Sequence, residues 1–290
     1  MPKCPSVCVL FDGTFDGFLT IIHAHYYDRL EPDYIFESGS YQQTIGSSYV
    51  NVEADAIKSE VVFRAIKEKI SPDAASSVYY SFLCFEPDRF MNIYRYILLG
   101  FKTGADVDAY MKYDYVIYVR RTAKYVGGEA HLLTGFCRFT ETERGVLYAK
   151  IGPNNNVLPL VANHFADRLM NEQWIIHDEK RKTAAVYDGS EFVITDVPDE
   201  INVAGNASED GYRKLWRTFY DTIAVESRVN YKLQRNHLPL RYRKYMTEFN
   251  REISKPPAPE PPSIFEPPLT LEQPSSFERS PAPEPPRASN

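Results

Sequence analysis

Gly135 to Asp188 read GFCRFTETERGVLYAKIGPNNNVLPLVANHFADRLMNEQWIIHDEKRKTAAVYD. Within this stretch the apolar residues change period. GFCRF, GVLYAKI, WIIHD and TAAVYD run as short strand-like segments between turn signals, whereas LVANHFADRLM repeats at helical spacing. GFCRF and GVLYAKI predict one hairpin, with Phe136 and Arg138 on one strand face and Cys137 and Phe139 on the other. WIIHD and TAAVYD predict a second, closed by the charged turn DEKRK, with EFVITDV beside it as an edge strand. The expected result is an antiparallel sheet covered by helices.

Working outward, the N-terminal half reads as helical. A short strand from Val7 to Asp12 and a turn at Gly13 precede an amphipathic helix that starts after Thr14 and carries Phe15, Phe18, Leu19, Ile22 and Tyr26 on one face. Tyr34 to Tyr49 is rich in Ser, Gly and Gln and reads as a loop. Glu53 to Ile70 is helical by pattern, Ser71-Pro72 caps a second helix running to about Cys84, and Pro87 starts a third that stops at Gly104. A further helix from Tyr115 to Leu133 carries Arg120, Arg121 and Lys124. The predicted class is α+β: a helix-rich N-terminal half, then an antiparallel sheet with flanking helices, then a disordered proline-rich tail.

One domain is expected over residues 1–253, with a helical part at about 14–133, a sheet part at about 134–197 and a basic helical part at about 207–251. Beyond it, 12 prolines fall in the last 36 residues and PAPEPP occurs twice. Such a tail cannot build a core; polyproline II segments acting as a spacer or a docking strip are expected at 254–290.

Composition narrows the functional classes. No run approaches the roughly 18 apolar residues of a membrane helix, so no membrane association is expected. MPKCPSVCVLFDG lacks the form of a secretory signal, which predicts a cytoplasmic protein. The four cysteines, Cys4, Cys8, Cys84 and Cys137, are too scattered for a disulfide framework, and the Cys4/Cys8 pair lacks the further ligands that zinc or an iron–sulfur cluster needs. No metal and no cofactor are expected.

Net charge is -6, but it is unevenly spread. From Tyr212 to Arg251 there are ten Lys/Arg against Asp221, Glu226 and Glu248, a surplus of seven that leaves the remainder at -13. Trp216, Phe219, Tyr220, Tyr231, Tyr242 and Tyr245 interleave those cations. Cations neutralise phosphates and aromatics stack on unpaired bases, so the segment predicts nucleic-acid contact. The candidate contacts are Arg213, Arg217, Lys232, Arg235, Arg241, Arg243 and Lys244, with Arg120, Arg121 and Arg138 from the preceding half. The plain alternative is a helix with core aromatics and a solvated charged face.

Two further sets could carry chemistry. Asp12, Gly13 and Thr14 sit where a strand turns into a helix, and free N–H groups at a helix start can hold an anion. A simple turn aspartate is the alternative reading. His164, Asp167 and Arg168 share a helical edge, and His177-Asp178 ends a strand. Were helix and strand to bring them together, they would suit a metal site or acid/base catalysis. Structural pairing explains the same residues equally well, and no HExxH, GxSxG or Walker motif decides between the two.

FDGTFDGFL, GGEAHLLTGFCRF, GVLYAKI, NVLPLVANHFADRL, WIIHD and LQRNHLPLRYRKYMTEF, in this order from Val7 to about Phe249, resemble a family described as DNA repair or DNA metabolism proteins. Members occur beside a repair-type radical SAM protein or behind a uracil-DNA glycosylase-like domain. The resemblance implies DNA and a radical SAM protein as partners. It marks Asp12, Gly13, Glu129, His131, Arg138, His164, Asp167, Arg168, His177, Asp178, Arg235 and Arg241 as motif members without giving them roles. The family pattern has Asp-His before NVLP, where this chain has Asn154-Asn155. The implied function is a DNA-binding accessory or repair protein working with a radical SAM partner on damaged or modified DNA. The alternatives are a nucleic-acid hydrolase or glycosylase-like enzyme using the His/Asp set, and a non-catalytic scaffold tethered by the tail. CxxxCxxC is absent from the chain, so radical chemistry would belong to the partner.

Overall fold

The computed structural model describes residues 7–39, 48–197, 209–223 and 230–249. All of these lie in one compact unit, Met1–Asn250. The proline-rich tail, with its expected docking role, lies outside the described residues.

The N-terminal part is built around β1 (Val7–Phe11), whose last four residues are all buried. Gly13, at φ +82, turns the chain into α1 (Phe15–Tyr27), and the Thr14 hydroxyl caps that helix by accepting from the Gly17 N–H at 3.0 Å. Tyr34 to Tyr49, expected as a loop, instead contains two strands. β2 (Tyr34–Glu37) and β3 (Ser48–Asn51) pair in parallel with the two sides of β1, giving the order β2-β1-β3. Each is four residues long, too short for a period-2 signal to stand out from its Ser- and Gly-rich surroundings.

Four helices follow the expected boundaries closely. α2 (Ala56–Lys69) is capped by the Asp55 carboxylate and α3 (Pro72–Phe82) by the Ser71 hydroxyl. α4 (Arg89–Thr103) ends at Gly104, which has φ +66 and opens a short 3-10 turn. α5 (Asp114–Phe136) is the long spine, and its buried Val116, Val119, Ala123, Val126, Ala130 and Leu133 repeat every three to four residues. It reaches two residues into GFCRF, so Phe136 is helical and the strand pairing begins only at Phe139.

The second sheet has the order β4-β5-β6-β7-β8, from β4 (Phe139–Glu141), β5 (Leu147–Ile151), β6 (Trp174–Asp178), β7 (Thr183–Tyr187) and β8 (Phe192–Asp196). Both expected hairpins are present, and β8 is the edge strand. The sheet is nevertheless mixed. β5 and β6 run parallel because α6 (Leu158–Arg168) crosses over between them. Val161, Ala162 and Phe165 of α6 join Ala149, Trp174, Ile176 and Ala185 in one continuous core that also takes in β1, α1 and Tyr242.

The basic part supplies α7 (Glu209–Ile223), α8 (Tyr231–His237) and α9 (Leu240–Arg243). Arg228 and Arg251 lie outside the described residues.

Candidate nucleic-acid interface

The C-terminal segment is fastened to the fold through a buried carboxylate. Glu129, 3% exposed on α5, accepts from the backbone N–H groups of Asn154 and Asn155 at 2.9 and 2.8 Å, the Asn155 amide at 2.6 Å, and the Tyr242 hydroxyl at 2.5 Å. Arg241 adds a weaker contact at 3.4 Å. Burial pushes the Glu129 carboxyl up, but the bonds from Tyr242, Asn154 and Asn155 outweigh it, and the group titrates below the usual carboxylate range. The Asn155 side-chain oxygen Oδ1 in turn accepts from the Phe85 N–H. Asn155 therefore works as a structural clamp, with both ends of its side-chain amide engaged.

Several predicted nucleic-acid contacts also have partners within the protein. Lys244 and Tyr245 both bind Glu179, at 3.3 and 3.0 Å, while Arg243 bonds to Gln234. Arg120 donates to the Asp108 carbonyl, and Arg121 lies 6.0 Å from the Tyr118 ring. Lys232 and Arg235 are exposed on α8.

Arg138 and Arg213 meet in one groove of about 860 Å³ between the α5 end, β4 and α7. Arg138 donates to both oxygens of the buried Glu248, at 2.8 and 3.3 Å, and its guanidinium lies 5.7 Å from the Trp216 ring. The Trp216 indole N–H donates to the same carboxylate at 3.2 Å. These bonds hold Glu248 ionised below its usual range in spite of burial, which opposes them. Arg213 bridges Glu209 and Thr140, and Arg217 donates to the Thr247 carbonyl on the groove wall. Tyr212, Leu215 and Phe219 stand 66%, 66% and 52% exposed along it. That is a large apolar surface for one helix to leave exposed.

The expected catalytic convergence does not occur. Strand alternation sends Trp174 and Ile176 toward α6 and His177 to the opposite face of the sheet. His164, Asp167 and Arg168 lie on the solvent side of α6. His177 is 1% exposed, with its Nδ1 bonded to the Tyr148 hydroxyl at 2.9 Å, and Asp178 anchors the turn through Arg181 and the Lys180 N–H. Burial, with Lys150 nearby, depresses the His177 pKa. Among the described residues no group of His, Cys, Asp and Glu is placed to hold a metal ion, and Cys8, Cys84 and Cys137 are separate buried thiols.

The first turn carries a carboxylate of its own. The Asp12 carboxylate accepts from the N–H and hydroxyl of Thr14, the residue that caps α1, at 3.0 and 2.8 Å. A side chain at Gly17 would run into that carboxylate.

Sequence reasoning did not single out Glu248 or Asn155 as structural anchors. A lone Glu in a basic stretch gives no sign that it is buried. No described helix is long and apolar enough to cross a membrane. No curated protein and no solved structure matches the chain. A family model matches residues 87–248, from the start of α4 through the groove to Glu248. Since that match spans more than half of the chain, the protein belongs to the family described as a domain of unknown function, DUF4130.

Proposed function

We propose that this protein binds DNA through the α7 groove and acts as an accessory repair factor beside a radical SAM partner on damaged or modified DNA. One observation carries the DNA part. Arg138 and Arg213, 75 positions apart in sequence, border a groove whose exposed Tyr212, Trp216 and Phe219 offer ring faces to unpaired bases. The exposed Lys214 adds positive charge on the same helix. The partner and the repair context rest on the resemblance of the ordered motifs. The scattered His/Asp set favours a binding role over hydrolysis.

Fluorescence anisotropy with labelled single-stranded and duplex DNA tests the reading. Binding that weakens steeply as salt rises is expected, because phosphate contacts release counterions. No binding, or binding indifferent to salt, would overturn it.

A further inference from the structure

A second site, separate from the α7 groove, opens where the first sheet changes direction. In the order β2-β1-β3, the chain leaves the carboxyl end of the central strand and returns first on one side and then on the other. Such a switch point leaves a crevice outside the carboxyl ends of parallel strands, the usual place for a ligand in sheets of this kind. Here the crevice exists. A cleft of about 450 Å³ is bordered by Gly13 after β1, Glu37 at the end of β2, and the α3–α4 connection. That volume falls in the range of small-molecule sites.

The cleft is lined by aromatic rings and by two guanidinium groups. Phe85 stands at its rim, 56% exposed, yet its backbone is tied by the Asn155 bond. Phe82 and Phe90 form the floor. Arg89 is fixed in advance: its guanidinium lies 4.1 Å from the Phe90 ring and donates to Glu37 at 2.6 Å and to the carbonyls of Phe82 and Glu86. Those bonds do not exhaust its donors. Arg181 enters from the β6–β7 turn, held by Asp178 and the carbonyls of Pro153 and Asn154. Each guanidinium is held by a carboxylate, Arg89 by Glu37 and Arg181 by Asp178, so the cleft offers preset N–H donors rather than net positive charge, and a preformed site loses little entropy on binding.

We infer that this cleft binds a nucleotide, with the base against Phe85 and its phosphate toward Arg89 and Arg181. The nucleotide could be free or could be one unit of a DNA strand; both present the same base and phosphate.

Calorimetric titration of the full chain with the nucleoside monophosphates, with inorganic phosphate as control, runs beside anisotropy with single-stranded oligonucleotide. Phe85→Ala, Phe85→Trp and, as a groove control, Trp216→Ala are compared with the parent. If the ligand is a free nucleotide, monophosphates bind and Phe85→Ala weakens them about tenfold, while Trp216→Ala leaves them unchanged. If it is a unit of a strand, monophosphates fail to bind but Phe85→Ala weakens the oligonucleotide about tenfold. In either case Phe85→Trp retains binding and its indole emission is quenched by ligand, which separates loss of the ring from loss of the fold. The inference is overturned if Phe85→Ala changes neither titration, or if inorganic phosphate binds as well as the monophosphates. Loss of oligonucleotide binding in Trp216→Ala alone would uphold the groove and refute the cleft.

Discussion

The Tyr242 hydroxyl donates to the Glu129 carboxylate at 2.5 Å across 113 positions of sequence, and both groups are buried. This bond joins the spine helix to the end of the basic segment. Removing the hydroxyl leaves a buried carboxylate short of one donor, which costs about 1–3 kcal/mol. Tyr242→Phe should lower stability by that amount in urea denaturation without changing the far-UV spectrum. An unchanged midpoint would show that the clamp contributes nothing.

The same carboxylate gives stability a pH signature. Its folded pKa lies below the ordinary value because its hydrogen bonds outweigh burial. The stabilisation is therefore complete above the unfolded value of about 4.3 and is lost as pH falls through the lower folded one. Glu129→Gln should be destabilised by about 3 kcal/mol at neutral pH, and its gap from the parent should narrow below about pH 4. A gap that stays constant with pH would exclude an ionised Glu129.

His177 has the opposite chemistry and the same sense. Burial, and then Lys150, depresses its pKa; Glu179 and Asp178 pull the other way, and the Tyr148 hydroxyl occupies Nδ1. The unfolded chain takes up the proton first, so this residue makes stability fall as pH drops below about 6.5. Replacement by Gln should flatten the denaturation midpoint between about pH 6.5 and 5 relative to the parent.

These anchors mark where the sequence was legible and where it was not. Helix α4 announced itself, because Phe90, Ile93 and Ile97 follow its period and Gly104 stops it. Both hairpins were readable from alternation and the DEKRK turn. β2 and β3 were not: strands of four residues carry almost no period, and their pairing with β1 is a long-range event. The parallel β5–β6 pair was obscured because α6 is a short crossover that also suits a loop between hairpins. At the candidate interface, composition identified the cations but could not say which would be taken up by internal carboxylates. Glu129, Glu179 and Glu248 each claim a cation from the basic segment or from β4's approach, and burial of a carboxylate is decided by tertiary packing alone.

Gly152 records how closely the C-terminal segment approaches. A side chain there would collide with the Tyr245 hydroxyl, which donates to Glu179 at 3.0 Å. Gly152→Ala should displace Tyr245, cost about 1–3 kcal/mol and speed hydrogen exchange in residues 240–249. Exchange that stays at the parent rate would mean that the segment adjusts without loss.

Arg138, in the groove, and Lys214, elsewhere on α7, separate structure from recognition. Arg138 forks onto buried Glu248 and faces Trp216, whereas Lys214 stands exposed on α7 without those ties. Lysine cannot reproduce the planar fork, so Arg138→Lys should reduce stability by about 1–3 kcal/mol and weaken single-stranded DNA binding together, by loosening the Trp216 ring. Lys214→Ala should leave the denaturation midpoint in place and lower the salt slope of binding by about 1, the loss of a single phosphate contact. Measuring midpoint and slope on both variants decides the matter: if Lys214→Ala leaves the slope unaltered while Arg138→Lys abolishes binding, α7 does not face the phosphates and the groove recognises its partner by stacking alone.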